Sequence, residues 1–246
     1  MNNDTLIVIP IRMASSRLPG KPLIDINGKA MVAHVWEKAI SSKCGDVIVA
    51  CCDKEARDYL KKQNIPYVMT KKQLNSGTDR VYNAMNTLLN KKLYKYIINL
   101  QGDVPNISPK IIKKLALIIR QKSVAMATLV SKIKDPRLIN DKNIVKAAIT
   151  KHLKFNKALY FSRSPIPCGS REFFEHIGIY AYKINTLKRF VNLKMGQLEK
   201  IESLEQLRAL ENGIDIIVGK VNKAPYSIDT SKDLKFFLKN ELINEK

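Results

Sequence analysis

Three fixed positive charges crowd one short stretch, IPIRMASSRLPGKPL, in which Arg12, Arg17 and Lys21 follow directly on the apolar run LIVIP. A turn built only to reverse the chain needs a glycine or an aspartate, not two guanidinium groups and an ammonium. Arginine forks and a lysine point charge, together with inward-pointing backbone N–H groups, can hold several phosphate oxygens at once, so a triphosphate is the cargo this loop suits. The usual phosphate fingerprints are absent: GxGxxG does not occur, and Gly20-Lys21 is followed by Pro22 rather than by Ser or Thr. The plain alternative is an exposed basic turn with no ligand.

A second group of candidates lies in FEHIGIYAY, where strand alternation puts His176, Gly178 and Tyr180 on one face and Ile177, Ile179 and Ala181 on the other. A lone histidine in an apolar strand is more often a hydrogen-bonded structural group, but the missing side chain at Gly178 leaves room for a ligand. His34 and His152 lack such a context and read as structural. Trp36, within AMVAHVWEKAI, reads as core or interface.

The elements that must position these residues follow from periodicity. Short apolar runs alternate with amphipathic stretches through the first half: TLIVIP, a helix near 31–40, DVIVACC, a helix near 55–62, IPYVMT, a helix near 78–89, YIINLQGD and a helix near 109–121. This predicts an α/β fold, a mainly parallel sheet flanked by helices, with the ligand crevice beyond the carboxyl ends of the strands. The loop after LIVIP and the QGD after YIIN both fall at that edge. From about 131 to 185 the rhythm changes to short runs rich in proline and aromatics, as expected of an inserted, smaller, β-rich subdomain within a single domain spanning 1–246. Ser203 and Gln206 stand at capping-box spacing in SLEQLRALENG, with Gly213 as the C-terminal cap. A strand DIIVGKV and a final helix from about Lys232 complete the chain.

Composition narrows the classes. The chain has 246 residues, is 45% hydrophobic, and carries a formal net charge of +21, mostly from scattered lysines. Lys113, Lys114 and Lys122 fall on or beside the solvent side of a helix whose isoleucines recur at helical spacing. No aromatic interleaving and no nucleic-acid motif accompanies them, which leaves a nucleic-acid-binding protein as the distant alternative. Cys44, Cys51, Cys52 and Cys168 show no metal-ligand spacing and read as reduced, packed thiols. The opening residues carry an aspartate where a secretion signal has basic residues, and their apolar run is too short for a membrane span. A soluble, cytoplasmic protein with no membrane association is expected.

The blocks IPIRMASSRLPGKPL, NSGTDRV, NLQGDVP, YFSRSPIP, HIGIYAY, LEQLR and SIDTSKDL, in this order and spacing, resemble the 3-deoxy-manno-octulosonate (KDO) cytidylyltransferases, or CMP-KDO synthetases. The resemblance covers the chain from Leu6 to the final helix. The first block is shared with sialic-acid cytidylyltransferases, whereas HIGIY and LEQLR point to the KDO branch. It implies a Rossmann-like nucleotidyltransferase that joins CTP and KDO into CMP-KDO and pyrophosphate for lipopolysaccharide biosynthesis, with Mg²⁺ as cofactor and a homodimeric assembly. A cytidylyltransferase for sialic acid or another 2-keto sugar acid is the nearest alternative.

Carried over residue by residue, the resemblance gives Arg12, Arg17 and Lys21 the CTP phosphates. Ser76, Gly77, Thr78, Asp79 and Arg80 of the SGTDR block, with Gln101, join the nucleotide pocket. Asp103 and Asp229 match the two aspartates that hold Mg²⁺, and Arg12, Lys21 and Asp103 are the expected catalytic set. Mg²⁺ takes one or two carboxylates plus phosphate and water oxygens, which suits two acids at strand ends, although either could serve only turn chemistry or the start of a helix. Arg163, His176, Tyr180, Glu205 and Gln206 match the sugar-acid site, where Arg163, its chain held extended by Pro165 and Pro167, could pair bidentately with the substrate carboxylate. The chain departs from the family pattern at Val104 and Asp79, both commonly Glu, at Lys200, often His, and at Ser227, commonly Gly.

Overall fold

The computed structural model describes residues 4–89, 93–152 and 154–244. The chain opens with β1 (Thr5–Pro10), a charged loop, a short 3-10 helix (Lys21–Leu23), and the hairpin β2 (Asp25–Ile26) and β3 (Lys29–Ala30). Then come α1 (Met31–Ser41), β4 (Asp46–Cys51), α2 (Lys54–Lys62), β5 (Tyr67–Met69), α3 (Gly77–Leu89), β6 (Tyr96–Asn99) and α4 (Pro109–Ile119). The second half holds β7 (Met126–Lys132), β8 (Lys146–His152), β9 (Phe155–Ser162), β10 (Phe174–Lys183), α5 (Ile184–Val191), α6 (Gln197–Glu202), α7 (Leu207–Glu211), β11 (Ile216–Val221) and α8 (Ser231–Asn244).

Two compact units divide the chain: Met1–Tyr94 with Asn99–Lys113 and Pro225–Lys246, and Lys95–Ile98 with Lys114–Ala224. The stretch 131–185, expected as an insertion, falls wholly inside the second unit, which extends beyond it on both sides.

In the first unit β4 pairs in parallel with both β1 and β5. Leu6, Ile7, Val8 and Ile9 are all fully buried, so β1 is covered on both faces, and such a strand reads as an unbroken apolar run rather than an alternating one. A separate cluster of Leu18, Ile26, Met31, Ile228 and Phe237 packs the charged loop against the start of α1 and against α8. One leucine between Arg17 and Lys21 thus pins that loop beside the segment before Asp229.

In the second unit β7 pairs in parallel with β11 and antiparallel with β10, while β9 runs antiparallel to β11 and β8. The mixed α/β architecture and the β-rich character of the 131–185 stretch accord with the sequence reading. One cap does not. Ser203 takes a left-handed conformation (φ 54°) and ends α6, and Gln206 sits at the cap position of α7 without a side-chain cap bond. The expected box fails because Leu204–Gln206 form the turn between two short helices instead of the first turn of one. Gly213, at φ 68°, does follow the end of α7, donating its N–H to Leu210 O at 3.1 Å.

Lys113 and Lys114 are exposed. All four cysteines are free, but only Cys51 is buried; Cys168 is exposed, a correction to the reading of four packed thiols. His34 bonds Ile26 O through Nε2 at 2.8 Å, as a structural histidine does, whereas His152 is exposed at the end of β8. Trp36 is half-buried, with its ring N–H unpartnered.

Candidate functional site

The loop after β1 is folded by its own backbone. Met13 O accepts from Ser15 N at 2.9 Å and from Gly20 N at 3.1 Å. Gly20 closes the turn at φ 70°, a conformation side-chain-bearing residues seldom adopt, and Pro22 starts the 3-10 helix with its fixed φ. The result projects Arg12, Arg17 and Lys21 into a cleft of about 270 Å³. Ser76, Gly77, Arg80, Gln101, Asp103 and Asp229 line the same cleft, all within the first unit, whereas Thr78 and Asp79, expected in the nucleotide pocket, are not among its lining residues.

Lys21 is the hub. Its Nζ lies 2.7 Å from Asp103 Oδ2 and 2.9 Å from Asp229 Oδ1, and Arg17 Nη2 reaches the same Asp229 oxygen at 3.0 Å. Arg12 is exposed and makes no ion pair among the described residues. Burial pushes the Asp103 carboxyl above its ordinary value; Lys21 opposes the rise and the like charge of Asp229 adds to it. Two carboxylates held within reach of one lysine, at the edge of a cleft, make an oxygen donor set that fits a hard divalent cation. Among the described residues no cluster of three or more acid, histidine or cysteine ligands exists, and a divalent cation at this point would have the two carboxylates of Asp103 and Asp229 as its protein ligands, a number that fits Mg²⁺.

The helix-start reading of Asp229 is resolved by its neighbours. Thr230 and Asp233 form the reciprocal cap of α8: Asp233 N donates to Thr230 Oγ1 at 3.2 Å, and Asp233 Oδ2 accepts from Thr230 N at 2.8 Å. Asp233 also accepts from Asp229 N at 3.1 Å, so the backbone is fixed while the Asp229 carboxylate stays directed at Lys21. Ile228 N donates to Asp103 O at 3.0 Å and ties the two acid-bearing segments together.

Around the helix α3 the roles divide. Ser76 Oγ accepts from Asp79 N and Asp79 Oδ2 accepts from Ser76 N, both at 3.1 Å, a capping box for which the shorter Asp79 suffices. Arg80 is buried, donating to Thr70 Oγ1 at 2.5 Å and to Lys71 O at 3.3 Å. Gln101 is steadied by Asn99, whose amide donates to Thr78 Oγ1. Asn99 and Thr70 were not legible as site residues; their only signal is a buried polar side chain at a strand end.

The sugar-acid candidates all lie in the second unit. His176 and Tyr180 do share a face, their ring centroids 5.3 Å apart, and the edge of Phe161 meets the His176 ring at 4.9 Å. Between Ile177 and Tyr180 the strand β10 bulges against β7, held by Thr128 Oγ1, which lies 3.1 Å from Ile177 O, 2.8 Å from Ile179 O and 3.0 Å from His176 Nε2. A hydroxyl has one proton and carbonyl oxygens only accept, so Thr128 donates to a carbonyl and accepts from His176 Nε2–H, leaving Nδ1 bare. Burial holds the imidazole down to about 3, hence neutral.

The Tyr180 hydroxyl and Gln206 Nε2 are buried without a hydrogen-bond partner among the described residues, two polar groups of the kind native interiors leave unsatisfied for a reason. Burial, then Tyr182 and the charge of Glu205, raise the Tyr180 phenol well above its ordinary value. The Arg163 guanidinium donates from Nε to Glu202 O at 3.2 Å and from Nη1 to Lys142 O at 2.9 Å and meets no carboxylate among the described residues, while the Arg163 backbone N–H donates to Glu202 Oε2 at 3.1 Å.

Helices on parallel strands, with cations and paired carboxylates in a cleft past the first strand, define a nucleotidyltransferase. The cytidylyltransferase family model matches residues 6–216. The 3-deoxy-manno-octulosonate cytidylyltransferase of Paramagnetospirillum magneticum is 41% identical over 94% of this chain and 94% of its own length. A solved CMP:2-keto-3-deoxy-manno-octonic acid synthetase in complex with CTP superposes with a TM-score of 0.89 at 35% identity, covering 98% of this chain and 99% of the other. A glucose-1-phosphate thymidylyltransferase structure from Bacillus anthracis, 14% identical over 96% of this chain and 94% of its own, shares the fold alone, at a TM-score of 0.66. The chain belongs to the 3-deoxy-manno-octulosonate cytidylyltransferase family.

Proposed function

We propose that this protein transfers the cytidylyl group of CTP to KDO, giving CMP-KDO and pyrophosphate for lipopolysaccharide biosynthesis. The observation that carries the reading is the convergence of Arg12, Arg17 and Lys21 with Asp103 and Asp229 in one cleft. The anomeric hydroxyl of the sugar acid attacks the α-phosphorus in line and pyrophosphate leaves; no covalent enzyme intermediate is needed. The protein's contribution is position and charge: Arg12 and Lys21 neutralise the charge that gathers on the leaving pyrophosphate, and Gln101 with the α3 start orients the nucleoside. Asp103 and Asp229 would hold Mg²⁺, which supplies charge neutralisation on phosphate oxygens when bound.

For the sugar acid, the Arg163 guanidinium, without an acid of its own, suits a carboxylate. Neutral His176 offers Nδ1 to a sugar hydroxyl, and Tyr180, Glu205 and Gln206 supply further polar groups. A homodimer is what the family resemblance implies for the assembly. A CTP-consuming biosynthetic step belongs in the cytoplasm. Pyrophosphate release with CTP, Mg²⁺ and a panel of 2-keto sugar acids tests the proposal. Release dependent on KDO supports it, and release only with sialic acid, or with none, overturns it.

A further inference from the structure

Asp53 stands at the N-cap of α2 in extended conformation (φ −100°, ψ 138°), where an aspartate ordinarily accepts a hydrogen bond from its own helix. It makes no such bond. Its Oδ2 instead accepts from Met13 N at 2.9 Å, 40 positions earlier in the chain, and from the Cys52 thiol at 3.3 Å. The helix thus forgoes its cap so that the carboxylate can serve the cationic loop.

Met13 is the residue through which that loop is organised. It follows Arg12 directly, and its carbonyl gathers Ser15 N and Gly20 N, the latter adjacent to Lys21. The parallel ladder ends where Ile11 N donates to Ala50 O at 2.9 Å. Beyond it, among the described residues, the backbone of residues 12–17 is bonded to the chain outside the loop only through Met13 N and Asp53. Holding Met13 therefore sets the departure of Arg12 on one side and the approach of Lys21 on the other.

We propose that Asp53 is a positioning residue for the nucleotide: it pre-forms the loop so that Arg12 and Lys21 already face the phosphates before CTP arrives. The inference rests on the reading that this loop binds CTP phosphates. Pre-organisation lowers the ordering required on binding, so its loss falls on CTP and spares the sugar acid.

The separating substitution is Asp53→Ser. Serine is as good an N-cap but too short to reach Met13, so helix stability is kept while the tether is cut. Asp53→Asn retains an acceptor of the same reach. Steady-state kinetics and thermal melting of both variants, with Lys21→Ala alongside, test the idea. Asp53→Ser is expected to raise KM for CTP about tenfold or more while KM for KDO stays within about twofold and the melting temperature does not fall; Asp53→Asn recovers most of the loss. If Lys21→Ala impairs CTP use and Asp53→Ser does not, the positioning role is overturned while the loop reading stands. A parallel loss for both substrates with a lower melting temperature also overturns it, by exposing a general fold defect. If Lys21→Ala leaves CTP kinetics unchanged, both readings fall.

Discussion

Lys21 Nζ sits between Asp103 Oδ2 at 2.7 Å and Asp229 Oδ1 at 2.9 Å, joining acids 126 positions apart in sequence through one lysine from the opening loop. The arrangement explains how a loop of fixed charges and two remote acids form a single electrostatic unit. With only 12% of its side chain exposed, Lys21 acts where water screens it little. Replacing it with alanine removes a cation from the leaving group and leaves two carboxylates facing each other. We expect Lys21→Ala to lower kcat by about 10²-fold or more, by analogy with loss of one transition-state donor. Full turnover at saturating CTP and Mg²⁺ would remove the loop from the mechanism.

Asp103 separates activity from stability. Its carboxyl is raised above 3.8 chiefly by burial, so its ionised form is less comfortable in the native protein than in the unfolded chain. By linkage, the native state holds this proton more tightly, and stability from this group declines as pH rises through the raised value. Asp103→Asn, uncharged at all pH, should melt no lower than the parent at pH 7 without ligand. Its turnover should drop about 10²-fold or more and its Mg²⁺ requirement increase. A variant that melts lower and keeps the parent's Mg²⁺ requirement would contradict this account.

His176 carries the opposite sign. Burial takes the imidazole from 6.5 down to about 3, so between those values the unfolded chain binds a proton that the native protein refuses. Its contribution to stability is complete above pH 6.5 and is lost as pH falls toward 3, at no more than about 1.4 kcal/mol per pH unit. Melting temperatures measured from pH 7 to pH 5 should decline more steeply for the parent than for His176→Gln. Parallel slopes would show that His176 titrates with an ordinary value.

The longer strands and helices of the first half were legible because each is a run of one period: TLIVIP coincides with β1, and the helix near 31–40 with α1 to within one residue, whereas the two-residue strands β2 and β3 are too short to show a period. The loop was legible through its charges, Arg12, Arg17 and Lys21, whereas the burial of Leu18 that anchors it emerges only in the fold. What could not be read were bonds between distant residues. Asp53 has the local signature of an ordinary N-cap, and nothing near it in sequence announces Met13. Thr128 looks like one more strand threonine until the bulge of β10 brings two carbonyls and His176 to its hydroxyl. The misplaced cap at Ser203 has the same origin: spacing specifies a box, but the chain turns left-handed there and starts α7 later.

Tyr180 offers a test in which two readouts move in opposite directions. Its hydroxyl is buried without a hydrogen-bond partner among the described residues, and an unsatisfied buried hydroxyl costs about 1–3 kcal/mol relative to an apolar group of the same shape. Tyr180→Phe keeps the ring beside His176 and Tyr182 and removes only the oxygen. If the hydroxyl is retained for the sugar acid, the variant should melt higher than the parent and bind KDO about tenfold or more weakly, with KM for CTP unchanged, because a ligand hydroxyl then loses its partner. A merely structural tyrosine would change stability and leave KM for KDO where it was. Equal KM values for KDO in parent and variant would therefore take Tyr180 out of the sugar-acid site.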